Sequence, residues 1–92
     1  MLKLEYTPQM KRDVKRMRKR GKDMSKLDSV LKTLVSRETL HSKHKDHRLR
    51  GNMSAYRECH IEPDWLLLYQ IFEDKLILSA SGTGTHSDLF DE

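Results

Sequence analysis

Five histidines stand in this 92-residue chain: His41, His44, His47, His60 and His86. Imidazole is the side chain whose ordinary pKa lets it give and take protons near neutrality. Three of the five fall in one run, His41-Ser42-Lys43-His44-Lys45-Asp46-His47. Their i, i+3, i+6 spacing invites a metal reading. A polar loop offers no fixed ligand geometry, however, and no cysteine cluster accompanies it, so no metal or other cofactor is expected. His41 and His44 read as solvent-exposed imidazoles. Cys59 and His60 are adjacent, but strand neighbours point to opposite faces, so they make no nucleophile pair. Cys59 reads instead as a small buried residue. Acid–base chemistry on RNA fits the remaining histidines better. Metal-free RNA cleavage needs a base for the 2′-OH proton, an acid for the leaving 5′-oxygen and a cation for the charged phosphorane. Histidine suits the first two roles, and Arg or Lys the third. His60 lies late in a strand, Asp64 just across a turn, His86 after the last strand, and His47 in a loop feeding the sheet. These four could converge on one sheet face.

The elements that must position them are legible in outline. Leu2-Lys3-Leu4-Glu5-Tyr6 alternates as a strand does. Thr7 is a fit N-cap and Pro8 a fit first helical residue. Met10, Val14 and Met17 follow at helical spacing, with Lys11, Arg12, Lys15, Arg16, Lys19 and Arg20 on the other faces and Gly21 as the stop. A second helix begins near Asp23 or Ser25, carries the stripe Met24, Leu27, Leu31, Leu34 and Val35, and fades near Arg37. Residues 38–54 read as a polar loop containing Gly51-Asn52. Three strands are then expected: Tyr56 to Ile61, Trp65 to Ile71, whose continuous apolar run suggests burial on both faces, and Lys75 to about Ser81. Pro63-Asp64 and Glu73-Asp74 mark the turns. Gly82-Thr83-Gly84-Thr85 reads as a flexible polar end, and Leu89-Phe90 as a small apolar anchor. The order βααβββ predicts an α+β fold, two helices over an antiparallel sheet, in one domain spanning residues 1–92.

Composition narrows the setting. No stretch approaches the roughly 18 apolar residues of a membrane span, the start MLKLEYTP lacks a secretory core, and one cysteine cannot staple a secreted fold. A cytoplasmic protein without membrane partners is expected. The net charge of +4 conceals a split. Residues 1–50 hold 16 of the 18 Lys and Arg but 6 of the 14 Asp and Glu, which gives +10 against −6 for the remainder. Such asymmetry points to a polyanionic or acidic partner for the first half. The alternative is a solvated helix face.

Three ordered segments carry a resemblance. They are Lys45-Asp46-His47-Arg48-Leu49-Arg50-Gly51, the run from Tyr56-Arg57-Glu58-Cys59-His60 through Ile61-Glu62-Pro63-Asp64-Trp65 to Tyr69, and Thr83-Gly84-Thr85-His86-Ser87-Asp88-Leu89-Phe90. Together they resemble the YafQ branch of the RelE superfamily of bacterial toxins, and the likeness runs essentially end to end. It implies a microbial-RNase-like fold, with two N-terminal helices packed on a curved antiparallel sheet. It also implies a ribosome-dependent endoribonuclease that cuts mRNA in the A site, favours adenine-rich codons, and uses the 2′-OH as nucleophile without metal. The implied partners are the ribosome, through its rRNA, and mRNA, together with a cognate antitoxin; DNA is met only indirectly, through that antitoxin.

By position, the resemblance places functional groups on His47, His60, Asp64, His86 and Phe90. It implies proton abstraction and phosphate positioning by His60 and Asp64, leaving-group protonation by His86, and orientation of the 2′-OH or phosphate by His47. Phe90 would pack near the substrate base. Trp65 would stack on a base or wall the site. Lys11, Arg12, Lys15 and Arg16 would meet rRNA. One position departs: the family usually has Arg just before Thr-Gly-Thr-His, where this chain has Gly82. Losing such a cation weakens transition-state stabilisation. Arg48 and Arg50 are candidate replacements, whereas Arg57 should point away from the face of His60. A catalytically weakened or silent relative that only binds the ribosome or antitoxin is therefore the alternative to an active enzyme. A metal-dependent nuclease lacks the carboxylate cluster it would need.

Overall fold

The computed structural model describes residues 1–91. The chain opens with β1 (Lys3–Tyr6), α1 (Pro8–Lys19) and α2 (Met24–Val35). Thr7 caps α1, its side chain accepting from the Met10 N–H, with Pro8 at the first helical position. The helix stops where Gly21 takes φ +82°, a left-handed conformation that costs glycine little. Asp23 caps α2 by accepting from the Ser25 N–H. The helices are held by Met10 and Met17 from α1 and by Leu27, Leu31 and Leu34 from α2, all buried in the core. Val30 joins this stripe, while Met24 and Val35 pack at its margin.

Residues 38–54 have more structure than a loop. Short 3-10 turns occupy Ser42–His44 and Gly51–Met53, and His47–Arg48 forms a two-residue strand, β2. Then come β3 (Arg57–Glu62), β4 (Trp65–Phe72), β5 (Ile77–Gly84) and a one-turn helix, α3 (His86–Phe90). The sheet order is β1-β5-β4-β3-β2. The hairpin strands pair antiparallel as expected. β1 adds itself to β5 in parallel, so the sheet is mixed. No short turn joins these two strands, so the sequence offered no sign of their pairing.

The third hairpin strand runs later than expected, because residues 73–76 are all spent on the turn, with Leu76 at φ +53°. Its far end, expected to be flexible, is buried strand: Gly82, Thr83 and Gly84 are all inside. β1 reaches only to Ala80 of β5. Beyond it, the free edge of β5 is closed by α1 and its cap. Thr7 Oγ1 donates to the Ser81 carbonyl at 3.1 Å, and buried Asp13 accepts from the Thr83 N–H at 3.1 Å. An unpaired buried N–H would cost roughly 1–3 kcal/mol, which is the reason for a carboxylate here.

Alternation along β4 sorts its buried run into two faces. Trp65, Leu67 and Tyr69 join the helix-side core. Leu66 and Leu68, equally buried, lie on the other face. The register carries that second face across the sheet. His47, Glu58, Leu68 and Gly82 form one cross-strand row, and His60, Leu66 and Gly84 the next. Irregularities in pairing at His60/Glu62 and at Leu68/Tyr69 bend the sheet beside these rows.

Candidate active site

The non-helical face gathers His47, His60, His86 and Asp64. The rings of His60 and His86 meet edge to face with centroids 5.7 Å apart. Asp64, in the turn after β3, reaches across to α3. Its Oδ1 accepts from the His86 backbone N–H at 2.9 Å and from His86 Nδ1 at 2.6 Å. These bonds hold the Asp64 carboxyl below the ordinary carboxylate range. Asp64 therefore accepts as the anion, which puts a proton of His86 on Nδ1.

His47 follows the same logic. A carbonyl oxygen only accepts, so His47 Nδ1 donates to the Lys45 carbonyl at 2.6 Å. Its Nε2 lies 3.8 Å from Glu58 Oε1. The same Glu58 oxygen lies 3.4 Å from His60 Nε2. A buried carboxylate, 6% exposed, thus sits between two histidines. Sequence reasoning passed over Glu58, although strand alternation places it on the face of His60, two residues away.

α3 is fixed from below. Thr85 and Asp88 make a reciprocal capping box, Thr85 Oγ1 accepting from the Asp88 N–H and Asp88 Oδ2 from the Thr85 N–H. Arg20 at the end of α1 grips Asp88 with two bonds, at 2.6 and 3.0 Å. These donors, Arg20 first, hold the Asp88 carboxyl far below its usual range. Gly84 is required here: a Cβ would lie 2.8 Å from Asp88 Cβ.

His47 is fixed from the opposite face. Asp46 accepts from the Tyr69 hydroxyl and pairs with Arg57 Nη2 at 3.2 Å, and Arg57 Nε in turn donates to the Tyr69 oxygen at 3.3 Å. Arg57 thus points away from His60, as alternation required. Arg48 stands opposite Arg57 in the register and shares that far face. It does not replace a cation beside the histidines. Arg50 is exposed at the start of the second 3-10 turn.

Other residues sit differently from expectation. His44 is half-buried rather than free in solvent, and its Nδ1 donates to the His60 carbonyl at 2.7 Å. His41 Nδ1 accepts from the Lys43 N–H. The three loop imidazoles are thus each tied to a different backbone group. Among the described residues no group of three or more His, Cys, Asp or Glu is placed to hold a metal ion. Trp65 is fully buried, with Nε1 donating to Thr83 Oγ1 at 2.9 Å. It lies in the helix-side core and presents no face for a base. Phe90 ends α3 half-buried. Cys59 is buried, and burial pushes its thiol up to about 12, so it is no nucleophile.

The basic positions divide. Lys11, Arg12 and Lys15 are exposed on α1. Arg16 instead turns its guanidinium onto buried Asp13, 3.1 Å away, close to where a Cβ on Gly84 would stand. Gly82 is enclosed too: a Cβ there would lie 3.2 Å from Asp13 Oδ2 and 3.5 Å from Leu89.

The family model for YafQ, a bacterial toxin of a type II toxin–antitoxin system, matches residues 2–91. The chain belongs to the YafQ toxin family. It is 44% identical over 88 residues to the mRNA interferase toxin YafQ of Escherichia coli K12, covering 95% of this chain and 94% of that protein. The crystal structure of the E. coli DinJ–YafQ complex contains a chain that superposes with a TM-score of 0.89 at 38% identity, covering 98% of this chain and 99% of that one. A metal-bound toxin from Helicobacter pylori superposes with a TM-score of 0.93 at 39% identity, covering 98% and 100%. The α+β RelE-like architecture of the YafQ family is therefore the architecture of this chain.

Proposed function

We propose that this YafQ-family chain is an endoribonuclease that enters the ribosomal A site and cuts mRNA there, with the substrate's 2′-OH as nucleophile. The observation that carries the reading is the His60–His86 pair. Two imidazoles stand edge to face, His60 beside the Glu58 carboxylate and His86 bonded to Asp64. Their separation suits the two ends of one scissile phosphodiester, where a proton leaves one oxygen and arrives at another.

His60 takes the 2′-OH proton through Nδ1, since its Nε2 faces Glu58. His86 protonates the leaving 5′-oxygen through Nε2. Asp64 acts through His86, holding its tautomer and stabilising the charged ring; this replaces the share in proton abstraction that the resemblance implied. His47, whose Nδ1 donates to the Lys45 carbonyl, turns Nε2 toward Glu58 and the substrate phosphate. Arg16 and Arg50 supply the guanidinium charge that Gly82 omits. Phe90 packs against the substrate base. Lys11, Arg12 and Lys15 meet ribosomal RNA. A cognate antitoxin, as in the DinJ–YafQ complex of the relative, neutralises the toxin in the cytoplasm.

A second reading has one observation behind it. Gly82 shares a row with His47 and Glu58 and places no cation there. A relative weakened at this point would still bind the ribosome or antitoxin. One assay separates the two: primer extension on translated mRNA with wild type, His86→Ala and Gly82→Arg. The enzyme reading expects A-site cuts by the wild type. It expects turnover lower by about 10²–10⁴-fold in His86→Ala, and at most a modest gain in Gly82→Arg. Wild-type binding without cuts, with cutting appearing only in Gly82→Arg, selects the weakened relative. Full cutting by His86→Ala would remove the acid assignment.

A further inference from the structure

A groove of about 430 Å³ opens beyond His60, between the first 3-10 turn, the end of β3 and the start of α2. Its walls include Lys43, His44 and Lys45 from the turn, Lys26 from α2, and His60 itself. That volume falls in the range of small-ligand clefts, roughly 300–1,000 Å³. We propose that this groove binds the backbone phosphate of the nucleotide next to the one that is cut. The inference rests on the ribonuclease reading for its substrate, and on its own geometry for the site.

The groove is built rather than incidental. His44 Nδ1 donates to the carbonyl of His60 at 2.7 Å. The turn is thereby tied to the strand at a proposed catalytic residue, and the ring is oriented by that bond. With Nδ1 committed to donation, Nε2 is the nitrogen left to contact a ligand. Lys45 follows in a left-handed conformation, φ +48°, an uncommon choice for a side chain of this size. The carbonyl of the same residue orients His47. One short segment thus sets His44 against the groove and His47 against Glu58, so a chain seated on one is led to the other.

The charge on the groove is available. Lys26 is spent on Glu62, which also takes Lys22. No ion pair engages Lys43 or Lys45 among the described residues. Two free ammonium groups and an oriented imidazole beside an acid–base pair suit a phosphodiester, and a continuous strand passing His60 brings its next phosphate there. An acidic segment of a protein partner could also be drawn to two lysines. It would have no reason to run on into the histidine pair, and RNA does.

The isolated protein tests this with uncleavable 2′-deoxy oligoadenylates followed by NMR. A dinucleotide is expected to move the signals of His60 and His86. A tetranucleotide should also move Lys43 and His44 and bind several-fold more tightly. Lys43→Ala/Lys45→Ala, a change at exposed positions, should erase that gain. It should also flatten the salt dependence of tetranucleotide affinity by about 0.7 in log–log slope, the value for one phosphate contact on a single strand. On ribosomes the same variant should raise the protein concentration for half-maximal cleavage and keep turnover at saturation. Stationary Lys43 and His44 signals, or a variant with wild-type slope and affinity, overturn the proposal. So does a variant that loses only antitoxin binding, which would assign the groove to protein. If the wild type cuts no ribosome-bound mRNA yet the tetranucleotide shifts and the lost slope appear, the ribonuclease reading falls and the groove stands.

Discussion

The two flanks of the His60–His86 pair are held by different means. On the His86 flank the fixing groups are close in sequence or welded to a helix. Thr85 and Asp88 cap α3, Asp64 binds His86 twice, and Arg20 clamps Asp88 with two bonds. On the His47 flank a two-residue strand carries the histidine, and both of its residues are exposed. That strand depends on contacts made far along the chain: Asp46 to Tyr69, Asp46 to Arg57, and His47 toward Glu58. Each such bond contributes on the order of 1 kcal/mol, and segments with few buried apolar contacts open locally at low cost. The His86 flank is therefore the rigid reference, and the His47 flank is the part whose geometry single side chains decide.

Glu58 links the His47 flank to His60, so among the groups that position the histidines it gives the largest effect. Glu58→Gln keeps the shape and removes the charge facing His47 and His60. Turnover on ribosomes is expected to fall by about 10–100-fold, within the range of acid–base contributions. Because Gln can donate as well as accept, the pH profile of turnover should change shape, whereas a merely structural residue would scale it. Wild-type turnover and profile in Glu58→Gln would make this carboxylate a bystander and uncouple the flanks.

How much of this was legible in the sequence follows the same division. Thr7, Pro8 and Gly21 announced α1, and the apolar stripe of α2 announced its buried face, because capping and helical period are local. The convergence of His60, Asp64 and His86 was also within reach, since a turn and a strand end are short-range features. β2, the parallel pairing of β1, and the buried end of β5 were not. Each exists only because a distant partner supplies hydrogen bonds: Glu58 and Arg57 for β2, Leu78 to Ala80 for β1, Asp13 for Thr83. Glu58 was missed for a different reason. Its strand alternation was visible, but a lone glutamate beside a cysteine carries no signal until His47 arrives opposite it. Trp65 misled in the other direction. Its place next to Asp64 suggested a stacking surface, and its indole N–H proved to be spent on Thr83 inside the core.

The clamp behind His47 gives the intermediate effect. Tyr69→Phe removes the hydroxyl that donates to Asp46 and leaves the ring in the core. Stability should drop by about 1 kcal/mol. Amide exchange at 45–48 should quicken while that at 86–90 stays as it was. Turnover should fall several-fold, since His47 is displaced. Equal quickening on both flanks would show that the site opens as one unit.

The smallest effect concerns the rigid flank and reads as stability against pH. The Asp88 carboxyl is held far below its ordinary 3.8, first by Arg20. The unfolded chain therefore takes up this proton before the folded one does. The stability that the charged group contributes is complete above about pH 4–5 and is lost as pH falls toward the folded value. Asp88→Asn keeps an acceptor for the Thr85 N–H but gives up the charge. Its melting temperature should lie a few degrees below wild type at pH 7, and the two curves should converge below about pH 4. The Asp64 carboxyl, also lowered, acts in the same direction in both proteins and cancels from the difference. A gap that stays constant down to pH 3 would mean that packing of α3 on β5, rather than the Arg20 pair, holds His86 in place. The rigidity of that flank would then rest on Leu89 and the close approach of Gly84 to Asp88.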